Sequence, residues 1–260
     1  MEPVLESKNL TKIFPTAGRG DYTAVDRVSF QLQEGETLGV VGESGCGKST
    51  LAKLICRLTD PTAGTIHLLG RDITDVKGRE LRKVYRQIQM VFQAPTGSFD
   101  PRKTIGYSIG ESLANAGVSR TERTARVTGL LEQCGLPGNF AQRYPHEISG
   151  GQCQRAAIAR ALAAGPRVLI CDEATSALDV TVQKQIMDLL VRLKQEHQLS
   201  VLFICHNLAL VQSFCDRVLV MYDGSIVEEG TPDEVILTPR CDYTKHLVDA
   251  ALYRLDQANN

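Results

Sequence analysis

The sequence lacks any long hydrophobic run, any excess of one charge and any repeated or low-complexity segment. Although 43% of its 260 residues are hydrophobic, none of its apolar runs approaches the roughly 18 residues that suggest a membrane span. The formal net charge is −1, so no global field draws the chain to nucleic acid or to an anionic membrane. The length predicts one large domain, or a core with an inserted subdomain.

Two further absences concern targeting and cysteine chemistry. The opening segment, MEPVLESKNLTK, does not show the basic and then apolar pattern of a signal peptide, and we therefore expect a cytoplasmic protein. The eight cysteines include no CxxC pair, and Cys171 and Cys205 lie in apolar, strand-like runs. We expect buried thiols in a reducing compartment rather than metal ligands or disulfides.

What is present is the pattern of an α/β protein. The apolar runs TLGVV (37–41), VLIC (168–171) and SVLFIC (200–205) are typical of fully buried strands in a parallel sheet. Asp223-Gly224 lies between two β-prone runs and predicts a hairpin turn. Thr231, in TPDEV, is a predicted helix cap.

The middle of the chain departs from this pattern. It begins with the Pro- and Gly-rich loop APTGSFDPRKT and continues with helix-like segments and no strong strand. We predict a single domain over residues 1–260, in three parts. These are a core of about 1–93 and 165–230, a helical insertion of about 94–164, and a C-terminal extension of about 231–260.

A phosphate-binding loop is predicted at GESGCGKS (42–49), which matches GxxxxGK[ST] between a strand and a helix. Its backbone amides should cradle phosphates, Lys48 should reach the β- and γ-phosphates, and Ser49 should bind Mg²⁺. The alternative, a glycine-rich turn with an incidental lysine, is disfavoured by the strand-and-helix context. The candidate ATP-binding residues of this segment are Gly42, Glu43, Ser44, Gly45, Cys46, Gly47, Lys48, Ser49 and Thr50.

The segment VLICDE (168–173) is a strand that ends in two carboxylates. Asp172 would hold Mg²⁺ through water, opposite Ser49. Glu173 would orient or deprotonate an attacking water. Alone, the pair is more simply interpreted as an ordinary acidic strand end; together with the phosphate loop it predicts nucleotide hydrolysis.

A second anion site is predicted at ISGGQ (148–152), which precedes the helix-favouring run QRAAIARALAA. A helix N-terminus with exposed amides attracts anions. The simpler alternative for this segment is a helix-capping loop.

Taken together, these segments resemble the ATP-binding cassette (ABC) family. The phosphate loop, ISGGQ, VLICDE and SALD appear in that family's order, as do Gln93 after one strand and His206 after a later one. The resemblance runs from KNLTKIF to about Gly230. It implies an α/β fold with a P-loop NTPase core, a mostly parallel sheet, an antiparallel β subdomain and an inserted helical subdomain.

The resemblance also implies a shared site between two chains. In this family two chains pack head to tail, and each ATP lies between one chain's phosphate loop and the other's signature. The signature residues here are Ser149, Gly150, Gly151 and Gln152, and they would serve the partner's nucleotide.

Further roles rest on the resemblance alone. Gln93 would sense Mg²⁺ and the attacking water, and His206 would contact the γ-phosphate. Asp179, in SALD, would lie at the dimer seam, cap a helix, or do both. Phe14 would stack on adenine, with Tyr22 as a competing candidate.

One residue departs from the family pattern. Asn207 stands where the family often has aspartate after the histidine. That substitution removes a carboxylate, but we expect turnover to survive because Glu173 and His206 are both present.

Within the family, SFDPRKTI, SALDVTVQ and the ending EEGTPDEVILTPRCDYTKHLVDA look like the ATPase subunits of peptide and nickel importers. That branch implies ATP hydrolysis coupled to import of peptides or nickel and other metal chelates. Some of its members carry a cysteine cluster for an iron–sulfur centre near the C-terminus. This chain has only Cys241 there, so we expect no such cluster.

The resemblance also implies partners and a location. The partners would be two membrane-spanning permease subunits, a second ABC ATPase (or a second copy of this chain) and, indirectly, an extracytoplasmic substrate-binding protein, with no nucleic acid. The chain would lie on the cytoplasmic face of the cell membrane. The motifs do not define the cargo.

Two other functions remain open on the sequence. A soluble ABC ATPase could act on nucleic acid or the ribosome, and the basic stretch KGRELRKVYR (77–86) is its supporting feature, although a solvated helix face is the preferred explanation of that stretch. A nucleotide sensor without turnover would not need Glu173 and His206.

Overall fold

A computed structural model of the protein describes residues 2–15, 20–174 and 178–258, with side chains described as far as residue 251. The chain divides into a first unit, residues 1–85 and 200–260, and a second unit, residues 86–199. The strands are β1 (Leu5–Phe14), β2 (Tyr22–Leu32), β3 (Thr37–Val41), β4 (Ala63–Leu68), β5 (Arg71–Asp72), β6 (Ile88–Val91), β7 (Val168–Asp172), β8 (Ser200–Ile204), β9 (Arg217–Tyr222) and β10 (Ser225–Gly230).

The α-helices of the described ranges follow the same order along the chain. They are α1 (Lys48–Ile55), α2 (Gly78–Gln87), α3 (Ile105–Asn115), α4 (Arg120–Gln133), α5 (Gly150–Leu162), α6 (Val180–His197), α7 (Leu208–Phe214), α8 (Pro232–Leu237) and α9 (Asp242–Ala258). Within these described ranges, no helix combines the length and the apolar character needed to cross a bilayer. The basic stretch 77–86 lies largely in α2, where Glu80 pairs with Arg71 and Lys83.

The first unit contains an antiparallel sheet in the order β2-β1-β4-β5. Strands β1 and β2 form a long pair, whose last register partners are Phe14 and Tyr22. Asn9 and Arg27 adopt positive φ angles of 47° and 48° and coincide with register shifts in this pair. Such bulges bend a strand and strengthen its twist.

The parallel strands of the first unit place the segments that follow β3 and β8 at the same edge of the sheet. Strand β3 pairs in parallel with β8 on one side and β9 on the other, with Val40 opposite Ile204 and Leu219. Every residue of β3 and β8 is buried, which explains their mainly apolar sequences. The predictions of strands at 37–41 and 200–205 are thereby confirmed, except that β8 ends at Ile204.

The predicted hairpin and helix cap of the first unit are also confirmed. Strands β9 and β10 pair as an antiparallel hairpin across Asp223 and Gly224. Both turn residues have positive φ, 43° and 80°, as the favoured two-residue turn requires. Thr231 caps α8 and forms a reciprocal capping box with Glu234, which satisfies two amides of the helix start.

The second unit combines a parallel strand pair with helices. Strand β6 pairs with β7, with Val91 opposite Cys171. Residues 94–164, all of which are described, hold α3, α4, α5 and short 3-10 turns, and no strand lies among them. Hydrophobic side chains such as Ile109, Leu131 and Ile158 are fully buried in these helices. The limits of a helical insertion stay a prediction.

The cysteines have the character that their apolar surroundings predict. All eight are free, and seven of them are buried, while Cys241 is partly exposed. Burial raises the pKa of the Cys134 and Cys171 thiols to about 12. These two thiols are therefore protonated at neutral pH and chemically inert.

Candidate functional site

The predicted phosphate loop joins the end of β3 to the start of α1 in the first unit. Gly47 is the N-cap residue of α1, and no side chain caps that helix. Backbone amides at an uncapped helix start are suited to bind an anion, and the helix dipole adds to the attraction. Residues 43–45 of the loop are exposed to solvent.

Two glycines allow this loop to lie against neighbouring backbone. Gly42 has a φ of 151°, and a Cβ atom there would lie 2.2 Å from the carbonyl oxygen of Met221. Gly47 has a φ of 106°, and a Cβ atom there would lie 2.1 Å from the carbonyl oxygen of Ala24. At each position the positive φ disfavours a side chain, and the close carbonyl oxygen excludes one, because that oxygen belongs to a strand and cannot move aside.

The ammonium group of Lys48 lies inside the curve of the loop. Its Nζ donates to the carbonyl oxygens of Gly42 at 2.8 Å and Glu43 at 2.7 Å, and the residue is only 5% exposed. The hairpin turn supports the loop from outside, since the Gly224 amide donates to the Cys46 carbonyl at 3.0 Å. The loop thus holds one positive charge at its centre with its backbone fixed.

His206 leaves the sheet at the same edge as the phosphate loop. Val40 and Ile204 are register partners in adjacent parallel strands, so the segments that follow them emerge side by side. His206 is exposed. Asn207 is the N-cap of α7, and its side-chain oxygen accepts from the amides of Ala209 at 3.0 Å and Leu210 at 3.3 Å. The asparagine therefore does the capping that an aspartate would also do at this position.

The two aromatic candidates lie at the open end of the β1–β2 pair. Phe14 is 38% exposed, with the Lys12 ammonium 5.0 Å from its ring centroid. Tyr22 is 51% exposed, and its hydroxyl donates to the Gly45 carbonyl at 3.3 Å. Tyr22 therefore contacts the phosphate loop directly, whereas a role for Phe14 stays a prediction.

In the second unit, a hydrogen bond joins two of the predicted catalytic residues. The side-chain amide of Gln93 donates to Glu173 Oε2 at 2.7 Å. Because β6 and β7 run parallel, the segments that carry Gln93 and Glu173 leave the same edge. Glu173 has a φ of 48°, a left-handed conformation that is uncommon for non-glycine residues and tends to occur at functional sites.

Asp172 is the last residue of β7, and its side chain is nearly buried at 7% exposure. It stands one residue before Glu173, which follows the end of the strand. An acidic group placed at a strand end in this way can hold a hydrated cation.

The signature segment forms the start of α5. Ser149 is the N-cap, its hydroxyl accepts from the Gln152 amide at 3.3 Å, and Gln152 Oε1 accepts from the Ser149 amide at 2.9 Å. This reciprocal pair is a capping box. The segment therefore caps a helix, as the simpler interpretation predicts. The amides of Gly150 and Gly151 follow it in the first turn.

Asp179 lies close to the signature in the same unit. It is the N-cap of α6 and accepts from the Val182 amide at 2.9 Å. A Cβ atom on Gly151 would lie 2.7 Å from Val182 Cγ1, so the first turns of α5 and α6 are in contact. Thr175, Ser176 and Ala177, which include the first half of SALD, lie outside the described residues.

Comparison with known proteins gives a family for this arrangement. The family model described as ABC transporter matches residues 25–176, a range that contains the phosphate loop, Gln93, the signature and both carboxylates. The chain belongs to the ABC transporter family. This result agrees with the P-loop α/β fold, with its antiparallel and parallel strands, described above.

Named relatives of this ABC chain include ATP-binding proteins of peptide transporters. The chain is 52% identical to the oligopeptide transport ATP-binding protein OppF of Salmonella typhimurium, over 87% of this chain and 69% of that protein. It is 43% identical to the di/tripeptide transport ATP-binding protein DppF of Pseudomonas aeruginosa, over 96% of this chain and 79% of that protein.

A solved ABC structure shares this fold. It is the dimeric, post-hydrolysis structure of the ATP-binding cassette MJ0796 bound to ADP and Pi. The TM-score is 0.78 at 31% identity, and the match covers 88% of this chain and 98% of that one.

The sequence analysis of this ABC chain missed one residue at the phosphate loop. The Glu43 amide donates to the hydroxyl of Tyr243 at 3.0 Å, across 200 residues of sequence. Tyr243 lies in the ending EEGTPDEVILTPRCDYTKHLVDA, which resembles the peptide and nickel branch as a whole. A single tyrosine in a helix gives no periodic signal of such a contact.

The glycine geometry predicts the effect of a small substitution. Gly47→Ala should place a methyl group against the Ala24 carbonyl and force a positive φ on alanine. We expect a loss of at least about 2 kcal/mol of stability, seen as a fall in Tm of about 4–8 °C, together with loss of ATP binding. Differential scanning fluorimetry and a fluorescent-nucleotide titration measure the two effects.

The matched control is Gly129→Ala on α4, where a Cβ atom would meet no atom within 4 Å. That variant should unfold at or slightly above the wild-type temperature, because alanine favours helix. An equal fall in Tm for both variants would contradict the close approach described at Gly47.

Proposed function

We propose that this chain is the ATP-hydrolysing subunit of an ABC importer of peptides. The observation that carries the proposal is the Gln93–Glu173 hydrogen bond beyond the buried strand β7, in a chain that also has a complete phosphate loop. A protein that only sensed nucleotide would not need a carboxylate held in this way. The peptide class is favoured over nickel because the relatives reported above are named for peptides.

ATP binding is assigned to the first unit. The loop amides of residues 42–49 and the buried Lys48 ammonium would hold the β- and γ-phosphates. Thr50 would contact the α-phosphate, and Phe14 or Tyr22 would stack on the adenine. His206, at the same sheet edge, would donate to the γ-phosphate.

The donor atoms available for Mg²⁺ are oxygens, as this hard cation prefers. The hydroxyl of Ser49, in the first turn of α1, and the nearly buried carboxylate of Asp172 fit that preference. Gln93 donates to Glu173 through its nitrogen, and its oxygen is the atom that would serve the cation. In the described part of the chain, no group of three or more His, Cys, Asp or Glu could hold a metal.

The ion would therefore depend on few protein ligands together with phosphate and water, as Mg²⁺ sites at nucleotides do. When bound, it would neutralise charge on the β- and γ-phosphates. The residues named for it are Ser49, Gln93 and Asp172.

Water activation is assigned to Glu173. Its carboxylate would accept a proton from the attacking water or fix that water in line with the γ-phosphate. The hydrogen bond from Gln93 at 2.7 Å and the unusual backbone angle of Glu173 both restrict where the carboxylate can lie. Restricting the base in this way favours the reactive geometry.

We expect Glu173→Gln to bind MgATP with nearly wild-type affinity and to hydrolyse it about 10²–10⁴-fold more slowly. The amide keeps the shape of the side chain and can still accept from Gln93, but it cannot take a proton. Phosphate release and nucleotide titration measure the two quantities. Glu132→Gln, on the exposed side of α4, is the control and should hydrolyse normally; wild-type turnover by Glu173→Gln would rule out its role as base.

The second anion site is assigned to a partner's nucleotide. Two chains would pack head to tail, so that Ser149, Gly150, Gly151 and Gln152 face the γ-phosphate held by the other chain. The start of α5 carries about half a positive charge from the helix dipole, which suits this role. Asp179 would lie at the seam, and the dimeric state named for the MJ0796 structure supports the arrangement.

Ser149→Arg should leave ATP binding by the single chain unchanged and abolish turnover, because the long side chain would occupy the space of the partner's nucleotide. The measurements are nucleotide affinity at low protein concentration and ATPase rate at high concentration. Ser119→Arg is a matched control, since Ser119 caps α4 with the same contact, a hydroxyl that accepts from the N3 amide at 3.3 Å. If Ser149→Arg weakens binding by the monomer, the site is not shared.

The proposed assembly includes two membrane-spanning permease subunits and a second ABC ATPase, either a different chain or a second copy. An extracytoplasmic substrate-binding protein would deliver the peptide. This chain would bind at the cytoplasmic face of the membrane, with no nucleic-acid partner. ATP binding would close the pair of ATPases and hydrolysis would reopen it.

A pull-down tests the assembly. Tagged Glu173→Gln would be expressed in its native host, and membranes solubilised gently with MgATP would be analysed by mass spectrometry. We expect two permease subunits and a second ATPase to co-purify, because the slow variant holds the closed state. Ribosomal or nucleic-acid-binding proteins, without permeases, would favour the soluble alternative instead.

A further inference from the structure

The phosphate loop is held from outside by the last helix of the chain. Tyr243, the second residue of α9, accepts a hydrogen bond from the Glu43 amide, with 3.0 Å between nitrogen and oxygen. Glu43 is the first residue after Gly42, whose φ of 151° only glycine adopts readily. The contact therefore fixes the peptide bond that directly follows this glycine.

A second aromatic ring sets the position of Tyr243. Its ring centroid lies 4.2 Å from that of Tyr222, at an angle of 41° between the planes. Tyr222 is the last residue of β9 and directly precedes the hairpin turn whose Gly224 amide supports the loop at Cys46. Burial raises the pKa of the Tyr243 hydroxyl, so at neutral pH it is a neutral phenol that can accept from the Glu43 amide.

The chain around Tyr243 is fixed to the sheet. The carboxylate of Glu228, in β10, accepts from the amides of Arg240 at 2.9 Å and Cys241 at 3.0 Å. Although burial opposes it, these hydrogen bonds hold the pKa of Glu228 below its ordinary value. Thr244 is fully buried. Tyr243 thus projects from an anchored helix start rather than from a free tail.

The peptide that Tyr243 holds also contacts the lysine of the loop. The planar peptide that joins Gly42 and Glu43 donates to the Tyr243 hydroxyl through the Glu43 amide, and it accepts from Lys48 Nζ at 2.8 Å through the Gly42 carbonyl. A rotation of this peptide unit would move both groups, because the amide and the carbonyl lie in the same rigid plane. The hydroxyl of Tyr243 is therefore linked to the Lys48 ammonium through one planar peptide.

We propose that Tyr243 is a positioning residue for the phosphate loop. Its hydroxyl orients the backbone of Glu43, and through that backbone it sets where the Lys48 ammonium lies. The start of α9 and the ATP site are coupled by this contact, so a displacement of the helix start alters nucleotide affinity. The proposal rests on the proposed function in one respect, namely that the loop binds ATP.

The test compares Tyr243→Phe with Tyr222→Phe. Tyr243→Phe keeps the ring and its stacking but removes the acceptor of the Glu43 amide. Tyr222→Phe removes the hydroxyl of the other ring in the same cluster, which does not bond the loop. The first measurement is hydrogen–deuterium exchange at the Glu43 amide without nucleotide, and the second is MgATP affinity. Thermal unfolding verifies that both variants fold.

We expect the Glu43 amide to exchange at least about tenfold faster in Tyr243→Phe and the Kd for MgATP to rise about twofold to tenfold, as the loss of one hydrogen bond predicts. Tyr222→Phe should match the wild type in both. Unchanged exchange and affinity in Tyr243→Phe would overturn the proposal. Equal losses in both variants would also overturn it, since ring packing and not the hydroxyl would then be responsible.

The exchange measurement separates this proposal from the proposed function. If the wild-type chain binds no MgATP, the proposed function fails, and the role of Tyr243 toward ATP fails with it. If the wild type binds MgATP and only Tyr243→Phe exchanges and binds differently, both stand. If the wild type and both variants bind MgATP normally and exchange equally, the proposed function stands and the positioning role of Tyr243 is ruled out.

Discussion

The first unit depends on one constraint, the close approach of strand backbone to the phosphate loop. A Cβ atom at residue 42 would lie 2.2 Å from the Met221 carbonyl oxygen, and one at residue 47 would lie 2.1 Å from the Ala24 carbonyl oxygen. Because glycine occupies both positions, the chain can turn from β3 into α1 with the Lys48 ammonium inside the curve. The hairpin turn and Tyr243 then contact the same loop from outside.

Much of this architecture can be predicted from the sequence, because burial and spacing leave direct marks. Strands β3, β7 and β8 are buried at every residue, and a strand buried on both faces is mostly apolar. The phosphate loop is recognisable because its glycines and lysine stand at fixed spacing between a strand and a helix. The Asp223-Gly224 turn is recognisable because few residue pairs accept two positive φ angles.

Other contacts could not be predicted, because they join residues that are distant in sequence and share no periodic pattern. The Gln93–Glu173 bond spans 80 residues and the Glu43–Tyr243 bond spans 200. Gln93 was expected at the site only through family resemblance, and Tyr243 was not expected there at all. The choice between Phe14 and Tyr22 was open for a similar reason, since only the folded strand pair brings the Tyr22 hydroxyl to Gly45.

The signature segment illustrates how local structure and function can be separated. Ser149, Asp179 and Asn207 all cap helices, and a cap alone, worth about 1 kcal/mol, would account for these residue types. Gly151 is explained by Val182, whose Cγ1 lies 2.7 Å from a Cβ atom at that position. Gly150 has no such explanation among the described residues, because its nearest neighbour would be Leu178 Cδ2 at 3.9 Å. Gly150 is exposed at the helix start, and without a side chain its backbone is open to an approaching group, such as the nucleotide of the second chain in the proposed pair.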